Sequence, residues 1–275
     1  MKGTVFYKMS GSGNDFVALD GRFHSPDQWP PERIRRLCDR REGVGADGLV
    51  ILEPADSAQV KMHFFNCDGS VAAMCGNAAL CSTRLAAYLE LAPGDGMELI
   101  TGAGTFQTRC LGEGWQAELN LPAFDLPKES PDIRPLPGEH AIYVVSVGVP
   151  HLVVLVGDLE AVEVIERGRE LRHHAALGSA GANVNFVGTA LKAPGQCRAW
   201  PMRTYERGVE GETLACGTGA VAAAATLVLT GQATGKVVMM TRSGKPLTVR
   251  LVPREGRMED VWLAGEGVLV YRGVL

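Results

Sequence analysis

The chain has 275 residues, 46% hydrophobic and 21% charged, a globular balance that excludes disorder, collagen-like repeats and coiled coil. Lys and Arg number 27 against 31 Asp and Glu, a formal charge of −4, so the basic footprint of a nucleic-acid binder is missing. The N-terminus lacks the apolar core of a signal peptide, and the longest apolar run, Ala220 to Leu229, is too short to span a bilayer. The expectation is a soluble cytoplasmic protein with neither nucleic acid nor membrane as partner.

In chain order, Gly11-Ser12-Gly13-Asn14 lacks the G-x-x-x-x-G-K of a nucleotide loop. Ile34, Leu37 and Cys38, spaced i, i+3, i+4 behind Pro30-Pro31, predict a surface helix over Arg33 to Arg41. Strands are predicted at Leu49 to Leu52 and Val60 to Phe65, with His63 as a satisfied core residue. Ala78 to Leu91 has only Ser82, Thr83, Arg84 and Glu90 as polar breaks before Pro93-Gly94, the pattern of a buried helix. A strand at Glu98 to Arg109 precedes a proline-rich linker from Leu121 to Pro137. Strands at Ala141 to Val147 and His151 to Val156 follow, then a helix carrying His173-His174. Adjacent histidines point to different helix faces, which argues against a shared metal. A strand at Val184 to Val187, a second all-apolar helix over Ala220 to Thr230, and strands at Val237 to Met240 and Leu247 to Leu251 complete the series.

The order repeats. Gly13 to Leu19 aligns with Val149 to Leu155, and Gly45 to Val50 with Gly181 to Val187. Phe65-Asn66 aligns with Tyr205-Glu206, and Met74-Cys75-Gly76-Asn77 with Ala215-Cys216-Gly217-Thr218. Two similar domains are expected, 1–128 and 129–264, with residues 265–275 able to return to the first. The expected class is α+β, each domain a curled mixed or antiparallel sheet around a central helix.

Seven cysteines without C-x-x-C spacing argue against a disulfide framework or structural zinc. Cys75 and Cys216 stand apart because each precedes a glycine at the start of a buried helix. Such an end offers unpaired N–H groups and partial positive charge, which favour thiolate and bind anions. Two facing domains would give one carbon a thiol base on one side and a thiol acid on the other, as stereochemical inversion requires.

Several blocks resemble the diaminopimelate epimerase family: Gly11-Ser12-Gly13-Asn14-Asp15-Phe16, Gly43-Val44-Gly45-Ala46-Asp47, Phe65-Asn66-Cys67-Asp68-Gly69-Ser70 and Met74-Cys75-Gly76-Asn77. So do Pro150-His151, Asn183-Val184-Asn185-Phe186-Val187, Glu206-Arg207-Gly208 and Glu212-Thr213-Leu214-Ala215-Cys216-Gly217-Thr218-Gly219. The resemblance implies two mirror-related domains and inversion of LL-diaminopimelate to the meso form, a step toward lysine and peptidoglycan. It implies no cofactor and no metal, a small-molecule amino-acid substrate and a possible homodimer. Cys75 and Cys216 would be the acid/base pair. Asn14, Asn66, Asn183, Glu206 and Arg207 would line the substrate site, with Arg207 on the distal carboxylate. Backbone donors at Gly76, Asn77, Gly217 and Thr218 would hold the reacting carboxylate, and His151 and Glu206 would assist the thiols.

The chain departs from the family at four places. Gly48 stands where many members have Gln, Val149 where many have Asn, and Ala78 and Leu80 where Gly and Arg are usual. Residues 48 and 149 lie where the far end of the substrate is expected. They keep a racemase of another amino acid, such as histidine, as an alternative. A non-catalytic amino-acid or anion binder is the alternative of another class, disfavoured because a binder does not need two thiols.

Overall fold

The computed structural model describes residues 3–112, 114–130, 132–192 and 198–275; Met1-Lys2, Pro131 and Cys197 of the readings above lie outside them. Two compact units are formed, Met1–Asn120 with Ala264–Leu275, and Leu121–Leu263.

The first unit runs β1 (Val5–Gly11), β2 (Asn14–Asp20), α1 (Pro31–Cys38), β3 (Gly48–Asp56), β4 (Gln59–Asn66) and β5 (Val71–Ala72). It continues with α2 (Gly76–Tyr88), β6 (Met97–Thr101), β7 (Gly104–Leu111) and β8 (Gln116–Leu121). The second begins with β9 (Phe124–Asp125), β10 (Lys128–Glu129), β11 (Glu139–Val147), β12 (Val149–Val156), α3 (Val164–Arg172), β13 (Asn183–Val187) and β14 (Leu191–Lys192). Then come β15 (Arg198–Glu206), β16 (Gly211–Thr213), α4 (Gly217–Leu229), β17 (Lys236–Met240), β18 (Pro246–Arg254) and β19 (Arg257–Glu266). The final strand, β20 (Val268–Val274), returns to pair antiparallel with β1.

Both units share one topology. In the first, β1–β2, β3–β4, β4–β5 and β6–β7 are antiparallel, while β2–β3 and β4–β6 are parallel across α1 and α2. In the second, β11–β12, β13–β15, β15–β16 and β17–β18 are antiparallel, while β12–β13 and β15–β17 are parallel across α3 and α4. A helical crossover is the short route between parallel neighbours. The mixed sheets and central helices of the expected α+β class are therefore present.

α2 and α4 are thirteen residues each and pack against several strands of their own unit. α4 buries Gly217 and everything from Gly219 to Leu227, which its nearly unbroken apolar sequence requires. Gly168 in α3 serves contact: a Cβ there would meet the Tyr205 side chain at 2.5 Å, so only glycine lets α3 lie on the fully buried Tyr205.

Several sequence expectations need correction. α1 ends at Cys38, short of Arg41, where the Asp39 carboxylate accepts from the Arg41 and Glu42 amides and turns the chain. Glu98 to Arg109 is a hairpin whose strands pair from Thr101 with Gly104 outward. The proline-rich stretch holds strands β9 and β10, and Phe124 and Ile133 within it are buried. His173 and His174 fall beyond the end of α3, and the His174 Nδ1 accepts from the Ala176 amide. His63 is satisfied but half-buried rather than in the core, its Nε2 lying 2.8 Å from the Glu53 carboxylate.

Strand pairing fixes which residues are equivalent. Four residues before Cys75 and Cys216 stand Val71 and Glu212, which pair with Phe65 and Tyr205. These pair with Leu49 and Val184, and those with Val17 and Leu152. The repeat thus agrees with the sequence alignment in β4 and β15 but is one residue out of step with it in β2 against β12 and β3 against β13. His151 matches Phe16, Asn183 matches Gly48, and Asn185 and Thr204 match Val50 and Phe64.

Candidate active site

In the first unit, Cys75 is the N-cap residue of α2, with extended backbone and no side-chain cap bond. That leaves the amides of the first helical turn, at Gly76 and Asn77, without intrahelical acceptors. The β1–β2 hairpin presses against this turn through Gly11, where a Cβ would lie 2.8 Å from the Cys81 Sγ and 3.0 Å from the Asn77 carbonyl. Ser12 and Gly13 complete that hairpin with φ of 51° and 115°.

The hairpin brings Asn14 to the helix start. Asn77 donates from Nδ2 to Asn14 Oδ1 at 2.7 Å, and Asn14 donates from Nδ2 to Asp47 Oδ2 at 3.0 Å. Asp47 also accepts from the Asp15 amide at 3.2 Å and from Arg40 at 2.8 Å. Arg40 and Lys8 both bind Asp15, and Lys8 also donates to the Gly45 carbonyl. The two cations hold the Asp15 carboxyl below its ordinary range against the opposing effect of burial. The Asn77 Oδ1 is buried and has no hydrogen-bond partner among the described residues. Asn66, at the end of β4, instead donates to Ser70 Oγ at 2.9 Å. Burial pushes the nearby Cys38 thiol up to about 12, so this cysteine is inert.

In the second unit, Cys216 caps α4 in the same conformation, and its Sγ lies 3.7 Å from the Thr218 hydroxyl. His151 on β12 is fully buried and pairs in register with Asn183 on β13. The Asn183 Oδ1 accepts from the Arg207 amide at 2.8 Å, fixing the turn after β15. Glu210 braces that turn by accepting from the Gly208 amide, Tyr205 and Arg172. The Arg207 guanidinium has no carboxylate partner among the described residues. Burial pushes the Glu206 carboxyl up, and the Thr213 hydroxyl opposes the shift. Burial, and then the Arg207 charge, push His151 down to about 3, so it is neutral at physiological pH.

Sequence reasoning missed three contributors. Asp47 and Arg40 orient Asn14, and Asn185 contacts His151. Asn185 donates from Nδ2 to the Leu152 carbonyl at 3.0 Å and to His151 Nδ1 at 3.2 Å, and accepts from Thr204 at 3.0 Å. The signal that could have found it is Gly219, where a Cβ would lie 2.2 Å from the Asn185 Oδ1. At Gly48 a Cβ would meet the Phe64 ring at 2.7 Å and the Phe65 carbonyl at 2.5 Å, so a side chain there requires Phe64 to move.

The family model described as diaminopimelate epimerase matches residues 6–118 and 143–258. This chain belongs to the diaminopimelate epimerase family. The diaminopimelate epimerase of Gemmatimonas aurantiaca is 44% identical over 98% of each chain. That of Aquifex aeolicus is 39% identical over 98% of this chain and 97% of its own. Membership makes the chain an isomerase, of the epimerase kind. Among solved structures, a phenazine biosynthesis protein of the PhzF family from Bacillus anthracis superposes with a TM-score of 0.77 at 13% identity, covering 100% of this chain and 99% of its own. A hydroxyproline epimerase from Agrobacterium vitis superposes with a TM-score of 0.66 at 19% identity, covering 98% and 91%. At such identities these neighbours speak for the epimerase family's fold alone.

Proposed function

We propose that this chain converts LL-diaminopimelate to meso-diaminopimelate, with Cys75 and Cys216 exchanging the roles of base and acid at the α-carbon. One observation carries the reading: each unit places a cysteine at the N-cap of its thirteen-residue buried helix, at equivalent positions in one topology. A thiolate takes the α-proton, and the other thiol gives a proton to the opposite face, leaving the sulfurs in exchanged protonation states. The two thiols supply both proton transfers, so the reading needs no cofactor and no metal.

The amides at Gly76, Asn77, Gly217 and Thr218 are proposed donors to the reacting carboxylate and to charge developing on it. The unpartnered Asn77 Oδ1 suits the α-ammonium group, held in place through Asn14. Arg207, without an ion-pair partner among the described residues, suits the distal carboxylate in a two-point contact, with Asn66, Asn183 and Glu206 proposed to line the same small-molecule site. His151, which pairs in register with Asn183 and feels the Arg207 charge, is proposed to support a thiol. The full-length relatives named diaminopimelate epimerase favour this substrate.

No helix among the described residues is long and apolar enough to cross a membrane. A cytoplasmic location is proposed because the six described cysteines are thiols, which suits a reducing compartment. A homodimer is proposed on the exposed apolar side chains Val5, Val270, Tyr271 and Val274. The test is incubation with LL-diaminopimelate in deuterated water. Meso product carrying α-deuterium is expected, and exchange only on another amino acid, such as histidine, would overturn the substrate. No exchange on any amino acid would leave a binding protein.

A further inference from the structure

We infer that Asn185 is a positioning residue that locks His151 in the Nε2–H tautomer, making the imidazole a neutral hydrogen-bond donor rather than a base. The inference deepens the proposed function and rests on His151 belonging to that site. It starts from an atom that can only accept. The Leu152 carbonyl is reached by the Asn185 Nδ2 at 3.0 Å, which fixes the orientation of the amide. The Asn185 Oδ1 then faces the Thr204 hydroxyl, which donates to it at 3.0 Å. The second hydrogen on Nδ2 points to His151 Nδ1 at 3.2 Å. Nδ1 must therefore present its lone pair, and the ring hydrogen resides on Nε2.

That Nε2 is buried and has no partner among the described residues. A buried N–H without an acceptor is costly, and the cost is removed when an anionic acceptor arrives. A thiolate and a substrate carboxylate are the two acceptors the reaction supplies. The imidazole cannot take a further proton without setting an Nδ1–H against the Asn185 N–H. The full burial of the ring and the Arg207 charge act in the same direction.

The fold does not require these polar groups. At the equivalent three strand positions the first unit has Phe16, Val50 and Phe64, and the rings of Phe16 and Phe64 pack edge to face at 5.8 Å. The helix start is adapted too. Gly219 leaves room for the Asn185 amide, whereas its counterpart three residues after the capping cysteine in α2 is Ala78.

The test uses the full chain labelled with ¹⁵N-histidine. The expected spectrum shows His151 with a protonated Nε2 and a bare Nδ1, unchanged from about pH 5 to 8, the range in which an ordinary histidine titrates. A proton on Nδ1, or titration in that range, would overturn the lock. Asn185→Asp, which offers acceptors in place of donors, should move the proton to Nδ1; an unchanged tautomer in the folded variant would also sink the idea. For the donor role, His151→Leu should lower kcat by about a hundredfold, the lower end for a positioned proton-handling group. His151→Gln, which retains an N–H, should recover at least about tenfold of that loss, equivalent to roughly 1.4 kcal/mol of barrier. Equal loss in both variants would exclude the donor role. The spectra need no substrate, so a wrong substrate assignment would appear separately in the deuterium exchange.

Discussion

The two units fold by one plan yet surround their cysteines differently. Around Cys75 the support is ionic: Lys8, Arg40, Asp15 and Asp47 form a charged cluster whose outlet is the Asp47–Asn14–Asn77 chain. Around Cys216 it is buried and hydrogen-bonded: His151, Asn185 and Thr204 form one chain of hydrogen bonds, Glu206 is pushed toward its protonated form, and Arg207 is the nearby cation acting on His151. A duplicated scaffold repeats its backbone geometry because strand pairing and helix packing set it. The proton environment is free to diverge because it depends on a few inward side chains.

The sharpest way to break the comparison is to remove the thiols. Cys75→Ala and Cys216→Ala should each reduce inversion by roughly 10²–10⁴-fold, the range of a positioned acid or base. The double variant should lose little more than either single one, because groups that act as a unit are not additive. Near-normal product formation by either folded single variant, read by chiral chromatography, would refute the pairing.

Arg207→Met comes next, since it leaves a substrate carboxylate unpaired. A fall in kcat/KM for LL-diaminopimelate of more than about tenfold, or roughly 1.4 kcal/mol, is expected. A smaller fall would redirect attention to a substrate without a distal carboxylate.

Asp47→Asn probes the ionic side. The acceptor that orients Asn14 would become an amide able to turn either way, so KM should rise by about three- to tenfold, the scale of one hydrogen bond. A kcat change with constant KM would argue that the cluster acts on the chemical step instead.

Acid stability probes the buried side. His151 is held near 3 in the folded state and returns to about 6.5 on unfolding, so the unfolded chain binds the extra proton between these values. Its contribution to stability is complete above about pH 6.5 and is lost as pH falls toward 3, by up to about 1.4 kcal/mol per pH unit. Urea melts of His151→Gln should show a shallower acid limb than the wild type; identical limbs would contradict the buried neutral ring. The smallest effect is expected at Cys38, whose thiol stays protonated. Cys38→Ala should leave kcat unchanged at a stability cost of about 1 kcal/mol, and mass spectrometry should find Cys38 unalkylated in the native enzyme.

What the sequence made legible follows from locality. Cys-Gly before an unbroken apolar run announces both the helix and its cap, and so Cys75 and Cys216 could be named without a structure. Asn14 and Asn77 are 63 positions apart, and nothing in either residue shows that one carries the other. The burial of Phe124 and Ile133 inside the proline-rich stretch is not legible from its prolines, because Phe124 pairs with Met258 and Ile133 packs into the core of the second unit.

The one-residue shift in the repeat shows where local reading stops. Sequence alignment set Phe16 against Leu152, apolar against apolar. Hydrogen-bonded register sets Phe16 against His151 and so exposes the exchange of Phe16, Val50 and Phe64 for His151, Asn185 and Thr204. A shift of one residue turns every side chain to the other face of a strand. Alternation in the sequence can thus state that a strand has an inner face, but not which residues of two strands meet there. Composition, periodicity and capping determined the class of fold, the central helices and the reactive thiols, because each is written within a few residues. Tertiary structure alone decided the tautomer of His151, the orientation of Asn14 and the separation of Arg207 from the carboxylates of the described residues, because each is a property of groups brought together from separate strands.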